Sequence, residues 1–393
     1  MIGSRQGARN CVAFLRKGPP EGTIMRKYLQ ISVLVVLFFW AVPCPAAERG
    51  VIRDAAGRPV SFSQKVAHVI CSGPGALRLL SYLECQDRIV AVDNMEKRRS
   101  RFDARPYALA NPQFRQYPLF GEFRGHDHPE LILTLAPQPQ VIFKTYAAMG
   151  HDPKALAQKT GIPVVVLEYG DLGKHRSQLY QSLRTMGRVL AAERRAEAVI
   201  AFFEENIRLL NERTRNIPAG KRPLCYVGGI AFKGPHGFQS TEPGYPPFAF
   251  INADNAAHSP VMAGKSLQHS NVAKEKIVEW DPDVLFLDLS TLQTGDMAGG
   301  LHELKTDPAY RSLTAVKKGN VYGVLPYNWY TQNFGSILAN AFFIGQRLYP
   351  DAFKDIDPKK KADEIYSFLV GKAVFEQMNT AFKKLVFEKI PLD

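Results

Sequence analysis

The sequence predicts an α/β fold of two lobes, each with a parallel sheet flanked by helices, joined by one long α-helix. Three observations carry this expectation. First, short apolar runs such as VAHVICS (66–72), QVIFKTY (140–146) and DVLFLDLS (283–290) alternate with helical patterns. Strands that are apolar on both faces belong to parallel sheets covered by helices. Second, the stretch Ala192–Arg215 places Ala196, Val199, Ile200, Phe203, Ile207 and Leu210 at steps of three and four, with charged residues between them and no Gly or Pro inside. Its 24 residues at ~1.5 Å each make a rod of roughly 36 Å, a domain diameter. Third, Glu130–Pro137 (ELILTLAP) returns 145 residues later as Glu275–Pro282 (EKIVEWDP), and each copy leads into a strand. A repeat at that spacing favours two similar lobes over one domain.

The chain can be taken in order. At 393 residues, 46% hydrophobic and 22% charged, it has a globular composition and room for two ordinary cores. Arg26 and Lys27 precede an apolar run, Ile31–Val42, that ends in PCPAAERG. A basic segment, about a dozen apolar residues and small residues at the end form a secretory signal, and the run is short for a membrane span. Residues 1–47 are therefore assigned as a signal peptide, with the true start at Met25; a lipid anchor on Cys44 is the alternative, disfavoured by Pro43. The leader holds six Lys/Arg and one Glu, so the mature chain keeps a net charge near +8 of the formal +13. That charge suits an anionic ligand or a membrane surface. No basic stripe interleaved with aromatics argues for nucleic acid. Cys71, Cys85 and Cys225 are too sparse for a disulfide framework, and Cys71 and Cys225, in apolar strand-like runs, read as buried small hydrophobes.

An N-terminal α/β lobe is expected over 51–190. Its strands are 66–72, 88–93, 140–146 and 162–170, and a helix over 175–190 leads into the rod. The connecting helix takes 191–217, closed by Pro218 and Gly220. A C-terminal α/β lobe over 221–393 repeats the theme, with strands at 223–232, 283–290 and 320–330. Helices over 274–282, 336–349 and 361–385 complete it.

In parallel sheets, ligands sit outside the carboxyl ends of the strands. Those positions supply the candidates. Ser72-Gly73-Pro74-Gly75 opens a helix and offers amides to an anion or a plain tight turn. Arg98 and Arg99 follow the strand ending at Asp93 and can pair with carboxylates or phosphates, or form a solvated charged loop. Phe232, Lys233, His236 and Tyr245 lie in or beside a long Gly/Pro-rich loop. Trp329 and Tyr330 offer flat faces to a ring-bearing ligand. His126-Asp127-His128 is weak as a metal site and reads as surface loop. No GxSxG, HExxH, P-loop or GxGxxG occurs, which argues against an enzyme.

Taken together, RIVAVD after a Ser/Gly-Pro turn and helix, the paired E-x6-P helices, AVKKGNVYGV with its following aromatics and the long central helix make the chain resemble a family. It is the periplasmic substrate-binding proteins of ABC importers, in the class that carries ferric siderophores, haem and cobalamin. The likeness covers roughly 51–390. It implies a ligand cleft between two lobes, a rod that limits lobe motion to a small tilt, and no catalysis. It also implies one surface acid per lobe, Glu130 and Glu275, docking onto an importer permease that works with its ATPase. Cleft positions carried over from the family are Phe123, Arg124, Lys144 and Tyr146 in the first lobe, and Phe232, Lys233, His269 and Trp329 in the second.

The expectation is a monomeric protein of the periplasm or cell surface. It captures a metal chelate, first of all a ferric siderophore, and has no resident cofactor or metal and no nucleic-acid partner. Cobalamin or haem is the alternative ligand, with His236, His269 or Tyr146 available to haem iron. A free metal ion held by His126, His128, His236 and a carboxylate is a second alternative, and a secreted hydrolase a third.

Overall fold

The first lobe is built on three parallel strands, Val69–Ser72, Val141–Thr145 and Val164–Leu167, in that spatial order. Every residue of the three is buried, as their unbroken apolar patterns require. The computed structural model describes residues 49–63, 65–98, 100–258 and 269–392. The assigned signal, Met25, Cys44 and Arg99 lie outside these. A small second sheet, Val92–Asp93, Leu119–Glu122 and His126–Asp127, continues the lobe on one side. The predicted strand over 88–93 is thus only two residues long, joined to Val69 by an isolated bridge at Ile89.

The second lobe holds four parallel strands in the order Asp254–Asn255, Leu224–Gly228, Val284–Asp288, Val321–Val324. The repeated motif forms matching helices, Pro129–Thr134 and Lys274–Trp280, each running into the next strand of its lobe.

The rod spans Glu193–Thr214. Its 22 residues measure about 33 Å. Ala196, Val199, Ile200, Phe203 and Leu210 are buried as the periodicity predicts, while Ile207 is half-buried and Asn206 takes the inner position, its amide donating to the Phe202 carbonyl. Phe203 reaches both lobes, 6.1 Å from Tyr82 and 5.9 Å from Phe334 between ring centres. The rod does not join them alone. The predicted single helix over 361–385 is two, Pro358–Val370 and Phe375–Ala381, because Gly371 takes a left-handed φ of 77° that ends the first. From this C-terminal region Phe368 stacks on Phe202 of the rod at 4.1 Å, and Lys372 Nζ donates to the Ala110 carbonyl of the first lobe at 2.6 Å. All three cysteines of the described residues are free and buried.

Candidate functional site: a cationic cleft between the lobes

A cavity of about 570 Å³ opens between the two lobes, at the carboxyl ends of their strands. Its wall on the first lobe includes Arg98, Phe123, Arg124 and Tyr146; on the second it includes Phe232, Lys233, Trp329 and Tyr330. Eight of the residues expected from sequence therefore meet here. The volume is that of a site for a small organic ligand.

The charge is one-sided. Among the described residues no Asp or Glu lines the cavity, whereas four cationic side chains do. Arg105 is offset by its own partners: its guanidinium is buried against Asp103 at 2.8 Å and Glu96 at 3.1 Å. The polar stretch 94–115 is thus folded around this network, with Tyr107 donating to Glu96 at 2.6 Å. Arg98, Arg124 and Lys233 make no ion pair among the described residues. Each lies over a cavity ring instead: Arg98 and Arg124 over Phe123 at 4.4 and 5.1 Å, Lys233 over Phe232 at 5.3 Å. Unpaired planar guanidinia are suited to carboxylate, phosphate or other oxyanions, which they meet with two charge-assisted bonds.

The backbone is strained where these side chains emerge. Arg124, Tyr146, Lys233, Tyr330 and Thr331 all have φ between 50° and 64°. A non-glycine residue in that region costs on the order of 1–3 kcal/mol and persists where its surroundings hold it. For Tyr330 and Thr331 the holder is Arg78, from the helix Ala76–Tyr82 of the first lobe. Arg78 is 1% exposed. Its guanidinium donates to the carbonyls of Gln332 (2.8 Å), Trp329 (3.1 Å) and Tyr330 (3.3 Å) and to the Tyr169 hydroxyl (2.5 Å). Bonds from a charged donor contribute about 1.5–3 kcal/mol each, enough to offset two strained residues. Tyr146 and Thr331 share a hydroxyl hydrogen bond at 2.6 Å across the lobes.

Tyr330 also reaches the floor of the first lobe. Its hydroxyl donates to Asp93 at 2.5 Å and accepts from the Arg124 amide at 3.2 Å. Burial, with the nearby Glu96 charge, pushes the Asp93 carboxyl up to about 7. Two glycines of the Ser72–Gly75 turn sit under the same contact. A Cβ on Gly75 would lie 2.1 Å from the Tyr169 ring and 2.7 Å from Thr331, and one on Gly73 2.5 Å from the Thr145 carbonyl. The turn is packed shut on itself and its neighbours; Pro74 alone of the four lines the cavity.

Several expected residues are placed elsewhere. Lys144 is fully buried; its Nζ pairs with Asp127 at 2.6 Å and donates to the Gly125 carbonyl and Ser72 Oγ. Its position at the end of a strand whose residues are all buried turns it inward, so it is spent on folding rather than facing the cavity. Tyr245 is 1% exposed and packs on Phe248 and Tyr327, behind the cavity wall. His269 stacks on Phe232 at 4.5 Å, and His236 lies 5.4 Å from His269. Both stand beside the cavity lining and not in it; His236 faces a neighbouring groove with Glu303 and Asp307. The four-ligand site of His126, His128, His236 and a carboxylate is not assembled: Asp127 is taken by Lys144, and no cluster of three metal-ligating side chains exists among the described residues. Asp93 and Thr331 lie in the post-strand stretches 93–99 and 327–333 without being singled out as site residues, and Arg78 lies outside every expected stretch. Arg78 reads in sequence as one polar residue in LRLLSYL, and only its reach across the lobes marks it.

Glu130 and Glu275 are exposed in the first turns of the two matching helices, one per lobe.

Solved structures share this architecture at low identity. A periplasmic solute-binding protein of Veillonella parvula DSM 2008 superposes with a TM-score of 0.65 at 17% identity, covering 86% of this chain and 98% of its own. MolA of Haemophilus influenzae, bound to molybdate, gives 0.61 at 18%, covering 82% and 98%. The haem-binding protein HutB of Vibrio cholerae gives 0.51 at 19%, covering 72% and 100%. No curated protein sequence matches significantly. The sequence model of one family spans residues 69–327, from the first central strand to the aromatic loop of the cleft. The chain belongs to the periplasmic binding protein family, the extracytoplasmic, non-catalytic proteins that deliver small ligands to ABC importers.

Proposed function

We propose that the protein captures an anionic metal chelate, first of all a ferric siderophore, in the cleft between its lobes and hands it to an importer in the membrane. One observation supports this reading: among the described residues, three cations without acidic partners line a cavity whose wall has no Asp or Glu and carries the rings of Phe123, Tyr146, Phe232, Trp329 and Tyr330. Arg98, Arg124 and Lys233 would neutralise the chelate, while Tyr146, Trp329 and Phe232 pack against its organic body. Delivery would use Glu130 and Glu275, each offering one acid to the permease. Haem is the second reading, supported by the same rings, with Tyr146 available to its iron and the arginines to its carboxylates. A bare oxyanion such as the molybdate of MolA would need the arginines but not a cavity of about 570 Å³.

The test is titration of the mature chain with ferric siderophores, haem and cobalamin, reading tryptophan fluorescence. Trp280 and Trp329 are the tryptophans beyond the leader, and only Trp329 lines the cavity. Saturable quenching by an anionic chelate, lost in Trp329→Ala, is expected. Equal response to none of the three ligand classes would sink the reading.

A further inference from the structure

Behind the cavity wall lies an inter-lobe hub of stacked rings. Tyr146 of the cavity wall stacks near Tyr169 at 6.1 Å, Tyr169 on Phe334 at 5.0 Å, and Phe334 meets Phe203 of the rod at 5.9 Å. Arg78 stands at the centre of this column, its guanidinium 5.0 Å from the Tyr107 ring and 5.8 Å from that of Tyr169. Among the described residues its hydrogen bonds run to neutral oxygens and no carboxylate pairs with it.

That is a poor arrangement for stability alone. A buried charge without an ionic partner is costly, and an apolar side chain would fill the space better. The hub is also short of partners: Arg78 Nε, Gln332 Oε1 and Asn333 Oδ1 are buried without any. What the guanidinium does achieve is geometric. Its fork spans three carbonyls of one loop, Trp329, Tyr330 and Gln332, and these flank the two left-handed residues that aim the Trp329 and Tyr330 rings at the cavity. Tyr169 supports the same register, donating to the Gln332 carbonyl at 2.6 Å. With Tyr169 the guanidinium serves four acceptors along two arms, Nη1 to Gln332 and Tyr169 and Nη2 to Trp329 and Tyr330, whereas a lysine ammonium offers three donors from a single point.

We propose that Arg78 is the positioning residue of the cleft, a clamp from the first lobe that holds the Trp329–Gln332 loop of the second in its ligand-ready shape before any ligand arrives. The clamp acts through the loop and never meets the ligand. It accounts for an arginine where the fold would accept leucine, and for two successive strained residues in a loop that contains no glycine. It also adds a fixed positive charge behind the wall that faces the anionic ligand of the proposed function, although the positional argument stands without that ligand.

The experiment needs no ligand. In the mature protein with Trp280→Phe, Trp329 is the single tryptophan, and it is excited at the red edge where the tyrosines do not absorb. Acrylamide quenching of Trp329 is compared in the parent, Arg78→Met, Arg78→Lys and Tyr169→Phe. The clamp predicts a red-shifted emission and a quenching constant raised about twofold or more in Arg78→Met, as a loop freed from its anchors opens to solvent. Arg78→Lys keeps the charge but not the fork and falls between. Tyr169→Phe loses one hydroxyl, conserves packing and gives a smaller rise in the same direction. Unchanged quenching in Arg78→Lys and Tyr169→Phe overturns the proposal, whether or not Arg78→Met folds. So does a rise accompanied by an equal loss of melting temperature in every variant, since that would report loosened structure throughout. A protein that passes this test yet binds no chelate would leave the clamp standing and sink the proposed ligand.

Discussion

Lys144→Met separates a folding role from a binding role at a residue whose sequence position suggests the cleft. Lys144 and Asp127 are both without exposed side-chain surface, with Nζ and Oδ2 2.6 Å apart. Methionine keeps the length of the stem and removes the charge. Asp127 is then left with one donor, the Ser72 hydroxyl at 2.6 Å, and the Gly125 carbonyl loses the lysine Nζ at 3.0 Å. Breaking a buried pair from one side costs about 3–5 kcal/mol, because the surviving charge stays buried without compensation. At ~2 °C per kcal/mol for a protein of this size, the melting temperature should fall by roughly 6–10 °C. Replacing both partners, Asp127→Leu with Lys144→Met, removes the stranded charge and should recover most of that loss. Circular dichroism melts of the parent, both single variants and the double variant form the thermodynamic cycle. Ligand affinity, read by Trp329 fluorescence, should match the parent in the double variant. A melting temperature that does not move in Lys144→Met, together with a large loss of affinity, would refute the assignment and return Lys144 to the ligand.

Further outcomes are expected. Arg98→Gln with Arg124→Gln should weaken an anionic ligand by about tenfold or more and flatten the salt dependence of binding, because charge-assisted bonds are lost and the screened attraction with them; an unchanged salt slope would remove these arginines from the site. Burial holds Asp93 and Asp288 near 7 and Glu242 near 8, above the carboxylate values of an unfolded chain. The folded state therefore binds their protons more tightly. Their contribution to stability is complete below about pH 4 and is lost as the pH rises to 7–8, so melting temperature should decline from pH 5 to 8, and Asp288→Asn should flatten the decline. A melting temperature that rises over that range in the parent and is unaltered in its slope by Asp288→Asn would contradict the assignment. Glu130→Ala and Glu275→Ala should abolish delivery in an uptake assay with ligand affinity intact; uptake at the parental rate would remove them from docking. Gly75→Ala carries a Cβ into the Tyr169 ring at 2.1 Å at a φ of 81°, and should lower the melting temperature and disturb Trp329 emission together.

Much of the architecture was legible because it rests on local periodicity. The rod, Glu193–Thr214, falls within one residue of the apolar-periodic stretch Ala192–Arg215 and within three of the wider 191–217, since a 3.6-residue apolar stripe free of Gly and Pro strongly favours a helix. The matching helices at Glu130 and Glu275 follow from a shared E-x6-P pattern. The aromatic loop and the arginine stretch were visible as residue types that a chelate would want. Which of those residues face one another was not visible, because it depends on contacts between segments far apart in the chain. Arg98, Arg124 and Lys233 converge with Trp329 only because the two lobes pack face to face across the cleft. Lys144 shares the sequence signature of a cleft residue, yet its strand turns it toward Asp127, whose charge outcompetes any ligand for it. Arg78 was hidden for the converse reason: its function lies wholly in acceptors more than 250 residues away. Two α/β lobes, a long connecting helix and the chemical character of the cleft residues follow from periodicity and composition, which are local properties. The tertiary structure decided which cations remain unpaired and which loop is clamped, because pairing is a matter of distance and burial.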